Sequence, residues 1–153
     1  MRPIKSAVHT NAQSYQDNYQ QMSKLVEKLE GYFQKSLFQG KEKHLAKARK
    51  ADKLLARERI ELLLDQDSFF LELLPLIGLK GEGFGPGGTA VCGIGLVANR
   101  LCMINANVGS NRGGSIDKAT LEKSIRMSEI AMENGLPVIN LVESSGANLP
   151  EQE

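Results

Sequence analysis

The residues best suited to chemistry form a turn of small side chains. Glu143 is followed by Ser144, Ser145, Gly146 and Ala147, directly after a short apolar run. After a buried strand, such a turn can aim peptide N–H groups at one point, and small side chains let a ligand approach them. Two donors aimed at a thioester oxygen would stabilise an enolate, at a cost of about 2.7–4 kcal/mol for each donor lost. Taken alone, the pattern favours a turn that binds nothing, because small-residue turns after strands are common.

A second loop carries a cation beside two flexible residues. Arg112, Gly113 and Gly114 can enclose a phosphate or an adenine, although most such triplets are simply loops. Glu143 stands at the end of a predicted strand and could serve as a general base. We favour a structural role for it instead, in which its carboxylate accepts hydrogen bonds from loop amides.

The elements around these loops predict a βαβ unit with a right-handed crossover. Residues 89–98 and 101–106 read as two strands joined by a turn at 99–100, in a half-buried hairpin. Residues 117–134 read as a helix, with an apolar stripe on one face, and 138–142 as a buried strand of a parallel sheet. Ligands gather at the carboxyl ends of the strands in such units. We therefore expect loops 107–115 and 143–150 at one sheet edge.

The part of the chain that precedes this unit is predicted to be mainly helical. Residues 14–37 carry apolar side chains on one helical face, with Ser14 as the N-cap, and such a face packs on the domain or on a partner chain. Residues 41–59 are basic, which is typical of a solvated helical face but would also suit a docking surface for a polyphosphate. A short helix at 56–64 and a strand at 69–74 follow. The glycine-rich loop at 78–88 then leads to the main fold. We divide the chain into a helical lead-in, 1–68, and a domain portion, 69–153.

Composition narrows the classes of function. The chain has 153 residues, a net charge of +1, 5% aromatic residues and no Trp, which argues against a nucleic-acid binder. No apolar run approaches the roughly 20 residues that span a bilayer, so we expect no membrane segment. Cys92 and Cys102 read as small buried hydrophobes in a reducing compartment. His9 and His44 are expected at the surface, and no residue spacing suggests a metal site.

An ordered series of motifs resembles the carboxyltransferase (β) subunits of biotin-dependent acyl-CoA carboxylases. Residues 53–65 and 69–73 resemble the "KLLxRERIxxLLD" and "FLEL" segments of that family. The Pro-Gly-Gly at 86–88, the Gly-Ile-Gly at 93–95 and the stretches 102–107 and 129–137 also agree in order and spacing. Residues 112–114 resemble "KGG", and 143–150 resemble "DSGGAxLP". The methylcrotonyl/geranyl type is the closest, mainly because of Ala147-Asn148-Leu149-Pro150.

The resemblance implies an α/β fold, a ClpP/crotonase-like spiral of ββα units. It also implies that Gly146 and Ala147 supply backbone donors to a thioester oxyanion hole, and that Arg112, Gly113, Gly114 and Ser145 lie near the CoA ester. The cofactor would be biotin, carried on a partner biotin carboxylase or biotin carrier subunit, with no metal in this chain. The carboxyl group would pass from carboxybiotin to the α or γ carbon of an acyl-CoA enolate. The full-length subunit would be a homo-oligomer in the cytoplasm, or in the mitochondrial matrix of a eukaryote.

Three features depart from the family pattern, and one of them is the loop at 108–117, where 108–111 differ from "DATV" and 115–117 lack "TYYP". Glu143 replaces an Asp and Ser145 replaces a Gly, so Ser145 would be strained if its position needs a positive φ. Family members run to several hundred residues, so we expect a truncated piece that is inactive alone. A biotin-dependent acyl-CoA decarboxylase of the same fold, or a non-catalytic module that binds CoA or a partner, are the alternatives.

Overall fold

In its described part, the chain folds as three helices followed by a four-stranded sheet with a fourth helix on one face. The structure, a computed structural model, describes residues 6–80 and 84–147. The sheet has the order β1-β2-β3-β4, with β1/β2 and β2/β3 antiparallel and β3/β4 parallel. The elements are α1 (Gln13–Ser36), α2 (Glu42–Lys50), α3 (Ala56–Leu63), β1 (Phe70–Leu73), β2 (Ala90–Val97), β3 (Arg100–Asn107), a 3₁₀ turn (Arg112–Gly114), α4 (Lys118–Glu133) and β4 (Val138–Leu141). The predicted βαβ unit is therefore β3-α4-β4, and β2-β3-α4 forms one ββα unit.

The β2–β3 hairpin is the centre of the fold. Its strands pair from Ala90 opposite Asn107 to Val97 opposite Arg100. The turn comes one residue earlier than the sequence suggested, because Ala98 and Asn99 adopt φ values of 49° and 60°. Positive φ at both central residues gives a turn whose twist matches that of the two strands.

Both faces of the hairpin are covered, whereas the sequence predicted a half-buried one. A Cβ at Gly95 would lie 2.3 Å from Leu64 Cδ2, so glycine here lets the end of α3 approach the sheet. The core on this face comprises Ala56, Ile60, Val91, Cys102, Ile104, Ala106 and Val108. The core on the other face, against α4, comprises Ala90, Cys92, Met103, Met127 and Ala131. The extra cover comes from α3, which the alternation of residues in β2 could not reveal.

Helix α4 buries a different face from the stripe that the sequence suggested. Asp117 caps the helix, accepting a hydrogen bond from Thr120 N at 2.8 Å. The stripe residues Leu121, Ile125 and Met132 are 51%, 52% and 79% exposed. The buried face consists of Ala119, Thr120, Lys123, Met127 and Ala131.

Strand β4 is less buried than predicted. Its residues alternate between exposed and half-buried, and Val138 is 51% exposed. The cause is its position at the edge of the sheet, where β3 is its only neighbour among the described residues. Ile139 and Leu141 pack on the core beneath α3, so only one face of the strand is covered.

The lead-in helices differ in how firmly they pack. Helix α1 begins after Ala12, so Ser14 lies inside the helix and is not its N-cap, and Ser36 alone is buried along its length. The basic run forms two helices because residues 51–55 break it, with Asp52 at a φ of 53°. Leu55 N donates to Glu58 Oε2 at 2.7 Å and starts α3. No helix in the described ranges is long and apolar enough to cross a membrane.

Candidate functional site

The two loops predicted at one sheet edge lie in direct contact. Ser145 N donates to the carbonyl of Gly113, and Ile116 N donates to that of Gly146, each at 2.9 Å. Ile116 and Ala147 also form an isolated parallel bridge. The loop that follows β3 and the turn that follows β4 are therefore joined by backbone hydrogen bonds.

Glycine at 114 is required by the close approach of these loops. Gly114 has a φ of 66° and is buried, and a Cβ built on it would lie 2.1 Å from the carbonyl oxygen of Glu143. Gly113 has a φ of 65°, and its Cβ would lie 3.0 Å from Ser145 Oγ. The Arg112–Gly114 turn can thus lie against the second loop only because it has no side chains there.

Ser145 is not strained, because its position in this turn does not need a positive φ. The residues with positive φ in this turn are limited to Gly146, at 100°, so the left-handed position falls on the glycine that is present. The Gly146 N–H donates to Ser144 Oγ at 3.1 Å, on an exposed part of the turn. Ser145, Gly146 and Ala147 are all solvent-exposed. Asn148, Leu149 and Pro150, which the resemblance also used, lie outside the described residues.

Glu143 is held by cations rather than by the loop amides that we expected. Lys53 Nζ lies 2.9 Å from Glu143 Oε1, and Arg59 Nη2 lies 3.7 Å from Glu143 Oε2. Arg59 also donates to two backbone carbonyls, that of Leu141 at 3.2 Å and that of Asn107 at 2.5 Å. Helix α3 and the segment before it therefore reach the ends of β3 and β4. Two ion pairs thus tie this carboxylate to the helical lead-in.

A cleft of about 790 Å³ opens beside the Arg112–Gly114 turn. The Arg112 guanidinium lies 5.2 Å from the centre of the Phe84 ring, which forms part of the wall. The other lining residues are Phe38, Lys41, Lys43, His44, Lys47, Ala48, Ala51, Lys53, Gly109, Ser110, Asn111, Gly113 and Glu143. Glu143 is the sole acid among these described lining residues, and it is already ion-paired. The cleft is therefore strongly cationic.

Each predicted site residue has a definite place relative to this cleft. Arg112 and Gly113 lie on its wall, and Gly114 is buried behind it. Gly146 and Ala147 lie on the neighbouring turn. The sequence had offered the basic run as either a solvated face or a polyphosphate surface. Five of its side chains line the cleft: Lys41 just before α2, Lys43, His44 and Lys47 in α2, and Lys53 after it. Sequence reasoning missed Phe84 as a wall residue, because an aromatic in a glycine-rich loop carries no periodic signal.

A buried polar network supports the base of the first loop. Thr89 Oγ1 donates to the carbonyl of Ser115 at 2.6 Å, and Thr89 N donates to Thr120 Oγ1 at 2.9 Å. These bonds tie the residue before β2 to Ser115, which follows the 3₁₀ turn, and to the first turn of α4. The end of the loop that leads into α4 is thereby held in place, while Arg112 and Gly113 face the cleft.

Lys123 is the most unusual charged residue in the core. It is 0% exposed, and its Nζ donates to the carbonyls of Ala90 at 2.7 Å and Gly87 at 3.2 Å. Burial lowers its pKa below the ordinary value, and burial raises the pKa of Cys92 to about 11. Its spacing from Ala119 and Met127 on one helical face was a signal of burial that sequence reasoning missed. In the described residues, no three His, Cys, Asp or Glu side chains are grouped as a metal site would need.

Known proteins provide an independent comparison. The family profile described as "Carboxyl transferase domain" matches residues 47–153. A probable methylcrotonoyl-CoA carboxylase beta chain of Drosophila melanogaster is 42% identical over 97% of this chain and 26% of its own length. A probable biotin-dependent acyl-coenzyme A carboxylase beta2 subunit of Mycobacterium tuberculosis is also 42% identical, over 97% of this chain and 28% of its own. The chain thus spans about a quarter of the length of these relatives.

Solved structures agree with the sequence relatives. The beta subunit of P. aeruginosa geranyl-CoA carboxylase superposes with a TM-score of 0.81 at 38% identity, covering 96% of this chain and 28% of that one. A transcarboxylase 12S structure superposes with a TM-score of 0.65 at 25% identity, over 86% and 26%. The ββα unit and its sheet are therefore those of the crotonase-like carboxyltransferases, as the resemblance implied. The chain belongs to the carboxyl transferase domain family and is related there to the β subunits of biotin-dependent methylcrotonyl-CoA and geranyl-CoA carboxylases.

Proposed function

We propose that this chain is the acyl-CoA-binding, N-terminal part of a carboxyltransferase subunit. With the rest of such a subunit it would transfer a carboxyl group from carboxybiotin to the α or γ carbon of an acyl-CoA. The observation that carries the proposal is the cationic cleft that opens beside the contact between the Arg112–Gly114 turn and the Ser145–Ala147 turn. A CoA ester has a polyanionic end and a neutral thioester end, and this surface offers a partner for each.

The lysines of α2 and Arg112 are the proposed partners of the CoA phosphates. Lys41, Lys43 and Lys47 line the same cleft as Arg112, and clustered cations raise the local concentration of an anion. The cleft volume, about 790 Å³, falls within the range of small-molecule sites. The Arg112 guanidinium stacked on Phe84 adds a flat, polarisable surface that suits a nucleotide base.

The turn after β4 is the proposed oxyanion site. The amides of Gly146 and Ala147 would donate to the thioester oxygen while the acyl group loses its α or γ proton and an enolate forms. That proton would end on the biotin nitrogen that gives up the carboxyl group, so no acceptor in this chain is needed. Gly146 N–H donates to Ser144 Oγ, an exposed hydroxyl that a carbonyl oxygen can replace. Donors of this kind are worth about 10²–10³ in kcat because they act only when charge develops. The hydrogen bond from Ser145 to Gly113 holds the turn in place, and Gly114 lets the backbone of Glu143 lie close beside it.

The remaining parts of the reaction lie with partners. Carboxybiotin, carried on a biotin carboxylase or biotin carrier subunit, supplies the carboxyl group, and the steps assigned to this chain concern the acyl-CoA alone. We propose that the isolated chain binds without turnover and that the full-length subunit is a homo-oligomer, since the related transcarboxylase 12S is described as a hexamer. Its place would be the cytoplasm, or the mitochondrial matrix in a eukaryote, as for the mitochondrial relative.

We also propose the division into a helical lead-in, 1–68, and a domain portion, 69–153. The 3₁₀ turn, α4 and the oxyanion turn all belong to the second part. The lead-in supplies the cations of the cleft from α2, and α3 packs into the core. The division therefore refers to position along the sequence only, because both parts contribute residues to the proposed site.

Isothermal titration with CoA and acetyl-CoA tests the proposal. A charge-reversed cleft, Lys43→Glu with Lys47→Glu, is expected to weaken binding of both ligands roughly tenfold at low salt, since exposed charges contribute up to about 1 kcal/mol each. The matched control reverses Lys24 and Lys28, which are exposed lysines of α1 outside the cleft lining.

Three results would decide the matter. The proposal requires that the wild-type chain binds CoA, that added salt weakens this binding, and that the α1 control matches wild type. No binding of CoA by the wild-type chain would overturn it. So would an equal loss of affinity in the cleft variant and the α1 control.

A further inference from the structure

The side chain of Arg59 joins the two strand ends from which the site loops leave. It donates to the carbonyl of Asn107, the last residue of β3, and to that of Leu141, the last residue of β4. It also pairs with the carboxylate of Glu143, two residues beyond β4. We propose that Arg59 is a positioning residue, which sets the distance between the CoA-side turn Arg112–Gly114 and the oxyanion turn Ser145–Ala147.

The geometry of a guanidinium suits this task. Its donors are fixed in a planar fork, so two carbonyls bonded to it are held at one separation. The loop after Asn107 leads within five residues to Arg112, and the segment after Leu141 leads within four residues to Ser145. A change in the separation of the two strand ends is therefore passed directly to both turns. The positioning of the two turns by Arg59 does not depend on the proposed function, but a role of this positioning in catalysis does.

The guanidinium is presented by a rigid element. Arg59 precedes Ile60, which is 3% exposed in the core between α3 and the sheet, and the Arg59 side chain is itself 20% exposed. Its Nε is buried with no hydrogen-bond partner in the described part of the chain. A buried donor without a partner is a cost to the fold, which is offset here by the two carbonyl bonds and the ion pair.

Arg57 provides a matched control on the same helix. It forms an ion pair with Glu72 of β1 and donates to the carbonyl of Ser36 at 3.4 Å. Its side chain is 25% exposed, and its Nε is likewise buried and unpaired among the described residues. Replacement of Arg57 therefore removes a similar set of interactions, but none of them reaches β3, β4 or the site loops.

Amide spectra of the ¹⁵N-labelled chain test the positioning role without any ligand. Arg59→Lys keeps the charge but replaces the fork by one ammonium, so the amide signals of Gly113, Gly114 and Gly146 are expected to shift together. Arg57→Lys should leave all three signals at their wild-type positions. Wild-type positions in the Arg59 variant, or equal shifts in both variants, would overturn the proposal. If Arg59→Lys fails to fold while Arg57→Lys folds, the same three amide signals are measured in Arg59→Gln, whose side-chain amide can still donate to a carbonyl. The same outcomes support or overturn the proposal in that variant.

Ligand binding adds a readout that a purely structural role would not move. Acetyl-CoA with a ¹³C-labelled carbonyl reports hydrogen bonding to the thioester oxygen, and CoA without an acyl group reports the phosphate cleft alone. In Arg59→Lys the preference for acetyl-CoA over CoA should fall roughly two- to tenfold, as for the loss of one hydrogen bond. The affinity for CoA itself should remain.

The two proposals can fail separately. If wild type binds CoA and the carbonyl signal of acetyl-CoA shifts on binding, but Arg59→Lys behaves identically, Arg59 is not a positioning residue and the proposed function stands. If wild type binds neither ligand while the amide signals of both turns respond to Arg59→Lys, the positioning role stands and the proposed function fails. Equal loss of CoA and acetyl-CoA affinity in both arginine variants would reduce Arg59 to a stabilising residue and overturn the inference.

Discussion

Replacement of Gly114 by alanine is a direct test of the contact between the two site loops. Gly114 combines two constraints, a φ of 66° and a backbone carbonyl against its Cα hydrogens. Gly135, in the connection from α4 to β4, has nearly the same φ, 60°, but nothing within 4 Å of its Cβ position. The pair Gly114→Ala and Gly135→Ala therefore separates backbone strain from the steric clash.

The expected magnitudes follow from these two geometries. An alanine in the left-handed region costs about 1–2 kcal/mol, and both variants carry this cost. At Gly114 the new Cβ would also lie 2.1 Å from the Glu143 carbonyl oxygen, about 1 Å inside the 3.0 Å that real Cβ contacts respect. Forced overpacking of this kind costs about 1–3 kcal/mol more. We expect a loss of roughly 2–5 kcal/mol for Gly114→Ala.

Urea unfolding followed by circular dichroism measures the difference. With a slope of about 2 kcal/mol per molar urea, an excess of 2 kcal/mol lowers the midpoint of Gly114→Ala by about 1 M relative to Gly135→Ala. The slopes should stay equal, since the unfolded chains are the same. Equal midpoints for the two variants would refute the argument, because they would mean that the loops do not approach each other as closely as the Gly114–Glu143 contact requires.

Two further predictions concern the core beneath the site. Burial lowers the pKa of Lys123 below its ordinary 10.5, so the unfolded state binds more protons as pH approaches 10.5. The free energy of unfolding of wild type should therefore rise with pH relative to that of Lys123→Met. Urea midpoints of both proteins between pH 7 and 10 measure this. A difference between the two midpoints that stays constant with pH would contradict the prediction. Because burial raises the pKa of the Cys92 thiol to about 11, its alkylation by iodoacetamide at pH 8 should be slow until urea unfolds the chain. Fast labelling of Cys92 in the native state would refute that, with mass mapping used to separate it from Cys102.

The sequence predicted the elements of the βαβ unit well because their signals are local. Residues 117–134 were predicted as a helix, and α4 is Lys118–Glu133, bounded by the Asp117 cap and by Gly135 at a φ of 60°. The strand at 138–142 and the placement of loops 107–115 and 143–150 on one edge follow from the same pattern. The contact between Ser145 and Gly113 lies within that prediction, since parallel neighbouring strands end together.

Burial was predicted less well, because it depends on what packs against an element. Leu121, Ile125 and Met132 form an apolar stripe in the sequence, yet α4 turns Lys123 and Met127 to the sheet. Lys123 can be buried because its ammonium group donates to two backbone carbonyls. The small side chains of Ala119 and Ala131 allow α4 to pack closely on the sheet. A hydrophobicity pattern has no means of showing that a lysine will be satisfied internally.

The chemistry of Glu143 illustrates the same limit at the site. Its place after a strand suggested either a base or an acceptor of loop amides, but its partners come from 90 residues earlier, at Lys53, and from Arg59. Such long-range ion pairs are set by the packing of α3 on the sheet. They could not be read from the turn itself.

The helical lead-in therefore belongs to the site physically, whatever its place in the chain. The hydroxyl of Ser110 donates to the carbonyl of Gln39, between α1 and α2, so the loop after β3 is held from the lead-in side. Lys53 and Arg59 hold the turn after β4 through Glu143. Both loops also bond each other, so α2 and α3 are connected through these contacts to the cleft wall and to the Ser145–Ala147 turn. If the α2 lysines bind the CoA phosphates as we propose, these same contacts would connect the bound phosphates to the proposed thioester site.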